Sequence, residues 1–390
     1  MKALYLVAAV TMAGVSSVFV LLAELEERYD LPTAGLGWIA GVAFLAALVT
    51  QLTLSRYADR GYAGLLLRVG MTAAAIGLIW FGLSTELWQF VAARGVLGLG
   101  VGMILPPARR VVITQAGDRQ GERLGTFYAA YLAGFVVGPP VSGLLTVLVD
   151  VRFPFLVFGA LAAVLALVLR SMEVPEASAE EAAVSAADPR VLRRLIRRRQ
   201  VVAALLVIVS FRYSIGVFEP LWAVHLDRLG ASTLWITFSL MGFALPMLIV
   251  ARRAGALSDR FGPRAASLVS AAATVPLMAG YGHVGSLALI MAMAVPHGLM
   301  EAVQSPGTQA ALADAAPKED SAAAQGLGEA AGSAAAGIGA FTAAPLFAAF
   351  GPAPAWTTAA AVMGVLLTLS VVLDRPRLRV ETPEAAPARP

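Results

Sequence analysis

The chain has 390 residues, 58% of them hydrophobic, and its 29 basic and 25 acidic side chains amount to 14% charged, where a soluble domain carries roughly 25%. Mean hydropathy is +0.76, and the apolar surplus falls in runs of about 20 residues, the length that crosses ~30 Å of hydrocarbon. An ordinary soluble enzyme is thereby excluded, and a polytopic membrane protein is implied. Without cysteine there are no disulfides or thiolate ligands, and three histidines (His225, His283, His297) make no His-rich metal site. The opening apolar stretch carries a single Lys and continues as a full span, so it does not read as a cleavable signal.

Apolar runs between charged or Gly/Pro breaks predict twelve helices, at about 4–27, 35–56, 65–84, 87–114, 122–149, 153–171, 200–226, 232–252, 264–282, 286–313, 320–349 and 354–373. The longest polar stretch separates the sixth from the seventh. It divides the chain into a first six-helix bundle (1–171), a linker (172–199), a second bundle (200–374) and a tail (375–390). Within the linker, Asp188 and Pro189 read as the N-cap and first position of a short amphipathic helix. Its arginines, Arg193, Arg194, Arg197, Arg198 and Arg199, read as a topogenic, lipid-facing cluster, since basic juxtamembrane segments attract anionic lipid.

An even number of spans puts both termini on one side. If that side is cytoplasmic, 24 of the 29 basic residues are inside and three, Arg28, Arg152 and Arg228, are outside. The expected placement is a multi-pass protein of the cell inner (plasma) membrane with both termini cytoplasmic. Topology accounts for the basic sequence pI of 9.6, so no nucleic-acid partner is expected.

The loop after the second span contains Asp59-Arg60, and the loop after the eighth contains Asp259-Arg260, 200 residues later. Two halves thus carry one motif at equivalent positions, as in transporters built by duplication. The pattern through Gly255, Asp259, Arg260, Gly262 and Arg264 resembles the signature loop of the major facilitator superfamily; the first copy departs from it, with Ser55 at the Gly position. The resemblance implies an all-α membrane fold of two pseudo-symmetric six-helix bundles, with the loop as a gating motif. Arg94 to Gly102 (RGVLGLGVG) looks like the Arg-containing motif of proton-coupled members. Gly134, Gly138, Pro139 and Gly143 in the fifth span are similar to the motif of the drug/proton antiporter branch. Plain helix packing is the competing reading, since small residues four apart bare one helix face.

Ionised groups inside a bilayer are costly unless paired or wetted. Those within the predicted spans are Arg94, Arg212, Glu219, Glu301 and Glu329, whereas Glu24, Glu26, Glu27, Arg109 and Arg110 fall at span ends. Arg212 and Glu219 share a face of the seventh helix, and His297 and Glu301 share a face of the tenth. The resemblance implies that the first, fourth, seventh and tenth spans line a central cavity. Glu219 and Glu301 are accordingly proton-coupling candidates, with Arg212 as charge partner and Arg94 as a second candidate. A fixed Arg212–Glu219 ion pair and a packing role for His297 remain as alternatives. Glu329 reads either as a coupling group or as a brace where the eleventh helix meets the second. Tyr213, Phe218, Trp222 and His297 are candidates for a substrate-cavity wall, or else simply pack.

The function expected from the resemblance is proton-coupled efflux, by antiport and alternating access, of amphipathic small molecules such as drugs. Its partners would be the substrate, protons and the bilayer, and a monomer is the family's usual form. The alternatives are an uptake symporter or uniporter and, from another class, a transport-inactive receptor or scaffold. No nucleophile–base–orienter cluster or phosphate-binding loop is present, so neither enzymatic activity nor a cofactor is expected.

Overall fold

The computed structural model describes residues 1–57, 61–115, 120–171, 189–317 and 320–374. Six long helices form the first bundle: α1 (Lys2–Tyr29), α2 (Thr33–Tyr57), α3 (Ala63–Leu83), α4 (Leu87–Thr114), α5 (Gln120–Leu148) and α6 (Phe153–Arg170). A short linker helix, α7 (Pro189–Arg197), precedes α8 (Arg199–Arg228), α9 (Thr233–Ser239), α10 (Met241–Phe261), α11 (Pro263–Tyr281), α12 (Leu287–Ala315), α13 (Ser321–Phe350) and α14 (Pro352–Asp374). Ten of these are long and apolar enough to cross a membrane. The α9–α10 pair and α11, packed alongside α12, complete twelve crossings.

The eighth span, expected as one helix, is interrupted at Leu240. Thr237 Oγ1 and Ser239 Oγ donate to the carbonyls of Leu234 (2.9 Å) and Ile236 (2.5 Å). Such back-bonding competes with the helical ladder and bends it. Pro246 then removes a further backbone donor one turn and a half later.

Duplication is visible in the packing. In the first bundle α1 packs on α5 and α6, α4 on α2 and α3, and α3 on α6; in the second, α8 packs on α13 and α14, α12 on α10 and α11, and α11 on α14. Each pair in one list has its counterpart six crossings later in the other. The bundles meet where α2 lies along α13, where α5 meets α9 and α10, and where α1 meets α8.

Close approach at these seams depends on glycine. A methyl group on Gly138 of α5 would stand 2.7 Å from Ala13 Cα, and one on Gly134 would strike the backbone of Ala9, so both motif glycines face α1. Gly143 lies against Thr237 of the other bundle. The antiporter-like motif therefore spans one seam within a bundle and one between bundles, and Ser142 Oγ donates to Ser17 Oγ at 2.7 Å in the first of them.

Candidate functional site

α4 enters the groove between α2 and α3 because its glycines have no side chain to exclude it. A methyl on Gly98 would lie 2.5 Å from the Ala43 carbonyl of α2, and one on Gly100 would lie 2.7 Å from the Gly70 carbonyl of α3. The same helix presents Arg94, about two turns from its start, to the opposite bundle. There its Nη2 donates to Glu219 Oε1 of α8 in a closely contacting ion pair. Arg94 is 1% exposed and Glu219 6%. This pair joins the two bundles.

The first expected charge partner of Glu219 is Arg212, on the same helix face, and the second candidate is Arg94. Seven residues amount to about 10.5 Å of helix rise, which is too far for a side-chain contact, and the pair forms across the bundles instead. Arg212 lies against Gly332 of α13, where a methyl would stand 2.8 Å from Arg212 Cγ. Its Nε, like that of Arg94, is buried without a hydrogen-bond partner. Two guanidinium donors are thus left over near the central seam.

On the second bundle, Tyr281 Oη and His297 Nδ1 are 3.2 Å apart, and His297 Nε2 stands 3.6 Å from Glu301 Oε1. The expected His297–Glu301 face is present, extended by Tyr281. Around it Phe218 contacts Trp222, Phe243, Tyr281, His297 and Trp356 at ring-centroid distances of 5.0 to 5.5 Å. Trp222 Nε1 donates to Ser239 Oγ at 2.8 Å. Phe218, Trp222 and His297 are all buried, so these rings form an aromatic core in which they pack on one another. Tyr213, also buried, places its hydroxyl 3.4 Å from Thr342 Oγ1 of α13. Glu329 accepts from Gln309 Nε2 of α12 at 3.2 Å; its described contact is with that helix and not with α2.

The face away from the termini is tied across the bundles. Arg228 at the end of α8 donates from Nη2 to Thr33 Oγ1 (2.9 Å), lies 3.8 Å from Glu26 and stacks 4.6 Å from the Phe347 ring centroid. Thr33 in turn donates to Glu26, and Thr233 Oγ1 donates to Glu24 Oε2 at 2.7 Å. The deepest described side-chain link between bundles toward the other face is Ser333 Oγ donating to Gln51 Oε1 at 3.3 Å.

These features, two six-helix bundles with duplicated packing and a buried charge pair between them, have known relatives. The profile described as Major Facilitator Superfamily matches residues 4–281 and 229–390. The chain belongs to the Major Facilitator Superfamily. A protein named "Multidrug resistance protein MdtG" from Proteus mirabilis (strain HI4320) is 24% identical over 280 residues, 68% of each chain. Other relatives of that name are matched over 56% to 61% of their own length. Among solved structures, the nucleoside transporter NupG superposes with a TM-score of 0.78 at 12% identity, covering 96% of this chain and 99% of that one. A bacterial homologue of the human lysosomal transporter Spinster, in an inward-facing, unoccupied conformation, gives 0.74 at 15% identity over 95% and 94%. At such identities these two establish the fold.

In this superfamily member the second signature loop turns at Gly262, whose φ of 85° suits glycine. Arg264 beyond it pairs with Asp374 at the end of α14, and Arg260 rests over the neighbouring Phe261 ring at 5.5 Å. Asp59 and Arg60 lie outside the described residues. So does the side chain of Asp259, although its backbone, with that of Gly255, is helical in α10. Of the cross-bundle residues on the face away from the termini, Glu24 and Arg228 stand in the sequence as a span-end acid and an outer basic residue, and Thr33 and Thr233 carry no signal there. Their position at span ends is the available signal. Reading the sequence for charges alone passed over Tyr128, whose ring lies 5.2 Å from the Arg109 guanidinium.

Proposed function

We propose that this transporter exports amphipathic small molecules in exchange for protons by alternating access, in the cell inner membrane with both termini cytoplasmic. The observation that carries the reading is the buried Arg94–Glu219 pair between bundles that must separate. A carboxylate and a guanidinium removed from water are each tolerable only with the other present. Protonation of Glu219 cancels the attraction, and re-forming the pair requires the proton to leave.

In the arrangement described, the pair is made and the face away from the termini is tied by Arg228. A proton expelled from Glu219 as the pair forms leaves toward the terminus-bearing side. With that side cytoplasmic, protons move inward as the cycle runs, the direction that drives efflux. Glu301, beside His297 and Tyr281, supplies a second carboxyl for loading, and the spare Nε donors of Arg94 and Arg212 offer contacts to a polar substrate group. The name carried by the MdtG relatives supports a lipophilic drug-like substrate class.

Proteoliposomes test direction without control of insertion. Under antiport, an acid-inside gradient drives uptake of a lipophilic cation such as ethidium, whereas under symport an acid-outside gradient does so. Flux indifferent to both gradients removes proton coupling.

A further inference from the structure

On the terminus-bearing face, α7 places Arg190, Arg193, Arg194 and Arg197 at helical spacing i, i+3, i+4 and i+7, and these four side chains line a cavity of about 400 Å³. The opposite face of α7 is its anchor: Leu195 is fully buried, and with Val191 it packs into an apolar cluster with Val201, Leu205, Leu312 and Ala324. Like charges three and four apart repel by a few tenths of a kcal/mol per pair, and α7 is only nine residues long, shorter than helices that persist unaided. On this face Asp320 accepts from Arg194 Nη2 at 2.6 Å. Asp320, at the head of α13, is 5% exposed and its Oδ2 is buried without a partner. Arg193 and Arg197 have no described carboxylate partner.

We propose that this cavity binds a phosphate-bearing anion, held by Arg193 and Arg197 with Arg194 as the link to α13. Planar guanidinium forks at this spacing suit bidentate contacts to phosphate oxygens. A bound anion cancels the repulsion along α7 and, through Arg194–Asp320, steadies the start of the helix that lies along α2 at the seam between bundles. Two sources present the same chemistry, the headgroup of an anionic phospholipid and a soluble phosphate compound. The proposal does not depend on the direction of transport.

The test is thermal melting of the purified full-length chain in nonionic detergent at fixed ionic strength, with phosphatidylglycerol, phosphatidylcholine or inorganic pyrophosphate added. Stabilisation by phosphatidylglycerol but not phosphatidylcholine supports a lipid headgroup, and stabilisation by pyrophosphate supports a soluble anion. In either case the Arg193→Gln/Arg197→Gln variant needs at least tenfold more of that additive for half of the shift. Should it be recovered too poorly to melt, Arg193→Gln alone is titrated, and phospholipid retained by the wild type is identified by native mass spectrometry. Equal responses to all three additives, or a variant that titrates like the wild type, overturn the site.

Discussion

Arg94 and Glu219 come from different six-helix bundles, 125 residues apart in the chain, and meet as an ion pair almost wholly removed from solvent. Their attraction exists only while the bundles are closed at that level. In the proposed cycle, separation would leave two uncompensated charges unless water or a proton intervened, and the pair would thereby link a titration to a rigid-body movement.

Breaking one partner should therefore cost more than removing both. Arg94→Met or Glu219→Leu alone strands a buried charge, with an expected loss of about 3–5 kcal/mol of stability. The double variant restores an apolar seam and should recover most of that loss while remaining inactive in pH-driven flux. Thermal melting of the three proteins decides the matter; a double variant as unstable as the sum of the singles would show that the two side chains do not act on each other.

The seam between α1 and α5 permits a sharper contrast between two glycines. Gly138→Ala brings a methyl within 2.7 Å of the Ala13 backbone, an overpacking expected to cost about 1–3 kcal/mol. Gly326 of α13 has nothing within 4 Å of the same methyl, and Gly326→Ala should be neutral or stabilise by up to about 1 kcal/mol through helix propensity. Opposite shifts in melting temperature are expected, and equal ones would remove the packing account of the fifth-span motif.

The absence of cysteine makes the gate at Arg228 easy to follow. Spin labels at Pro32→Cys, just before α2, and Asp227→Cys on α8, both exposed, flank it. Arg228→Gln removes a part-exposed ion pair and a cation–π contact together worth about 1 kcal/mol, equivalent to roughly a fivefold change in the open-to-closed ratio. The distance distribution should gain a longer component in the variant. An unchanged distribution would mean that Arg228 does not hold this face shut.

The span count, the duplication and the His297–Glu301 face were legible because each depends on local spacing or on runs of apolar residues. Which arginine Glu219 meets was legible only in part. Helix α8 is apolar around most of its circumference, so periodicity does not fix which way Glu219 points; Arg212 and Arg94 were both candidates, and the ion pair is with Arg94. The aromatic core had the same origin: Phe218 and Trp222 were readable as a cavity wall or as packing, and only the approach of Phe243, Tyr281 and Trp356 from three other helices distinguishes the two. The break at Leu240 was hidden because Thr237 and Ser239 are acceptable inside a membrane helix until their hydroxyls choose backbone acceptors.

Substitution of Glu301 tests binding apart from the proposed coupling. Its carboxylate lies 3.6 Å from His297 Nε2, and Glu301→Gln keeps the shape and a hydrogen-bonding group while removing the titratable proton. If Glu301 carries a coupled proton, the variant should retain ethidium binding within a few-fold, lose uptake driven by an acid-inside gradient, and keep downhill exchange of labelled for unlabelled ethidium. A Tyr281→Phe variant, which removes only the hydroxyl near His297, should slow the driven flux without abolishing it. Full driven flux in Glu301→Gln would take Glu301 out of the mechanism and leave Glu219 as the remaining proposed coupling carboxyl.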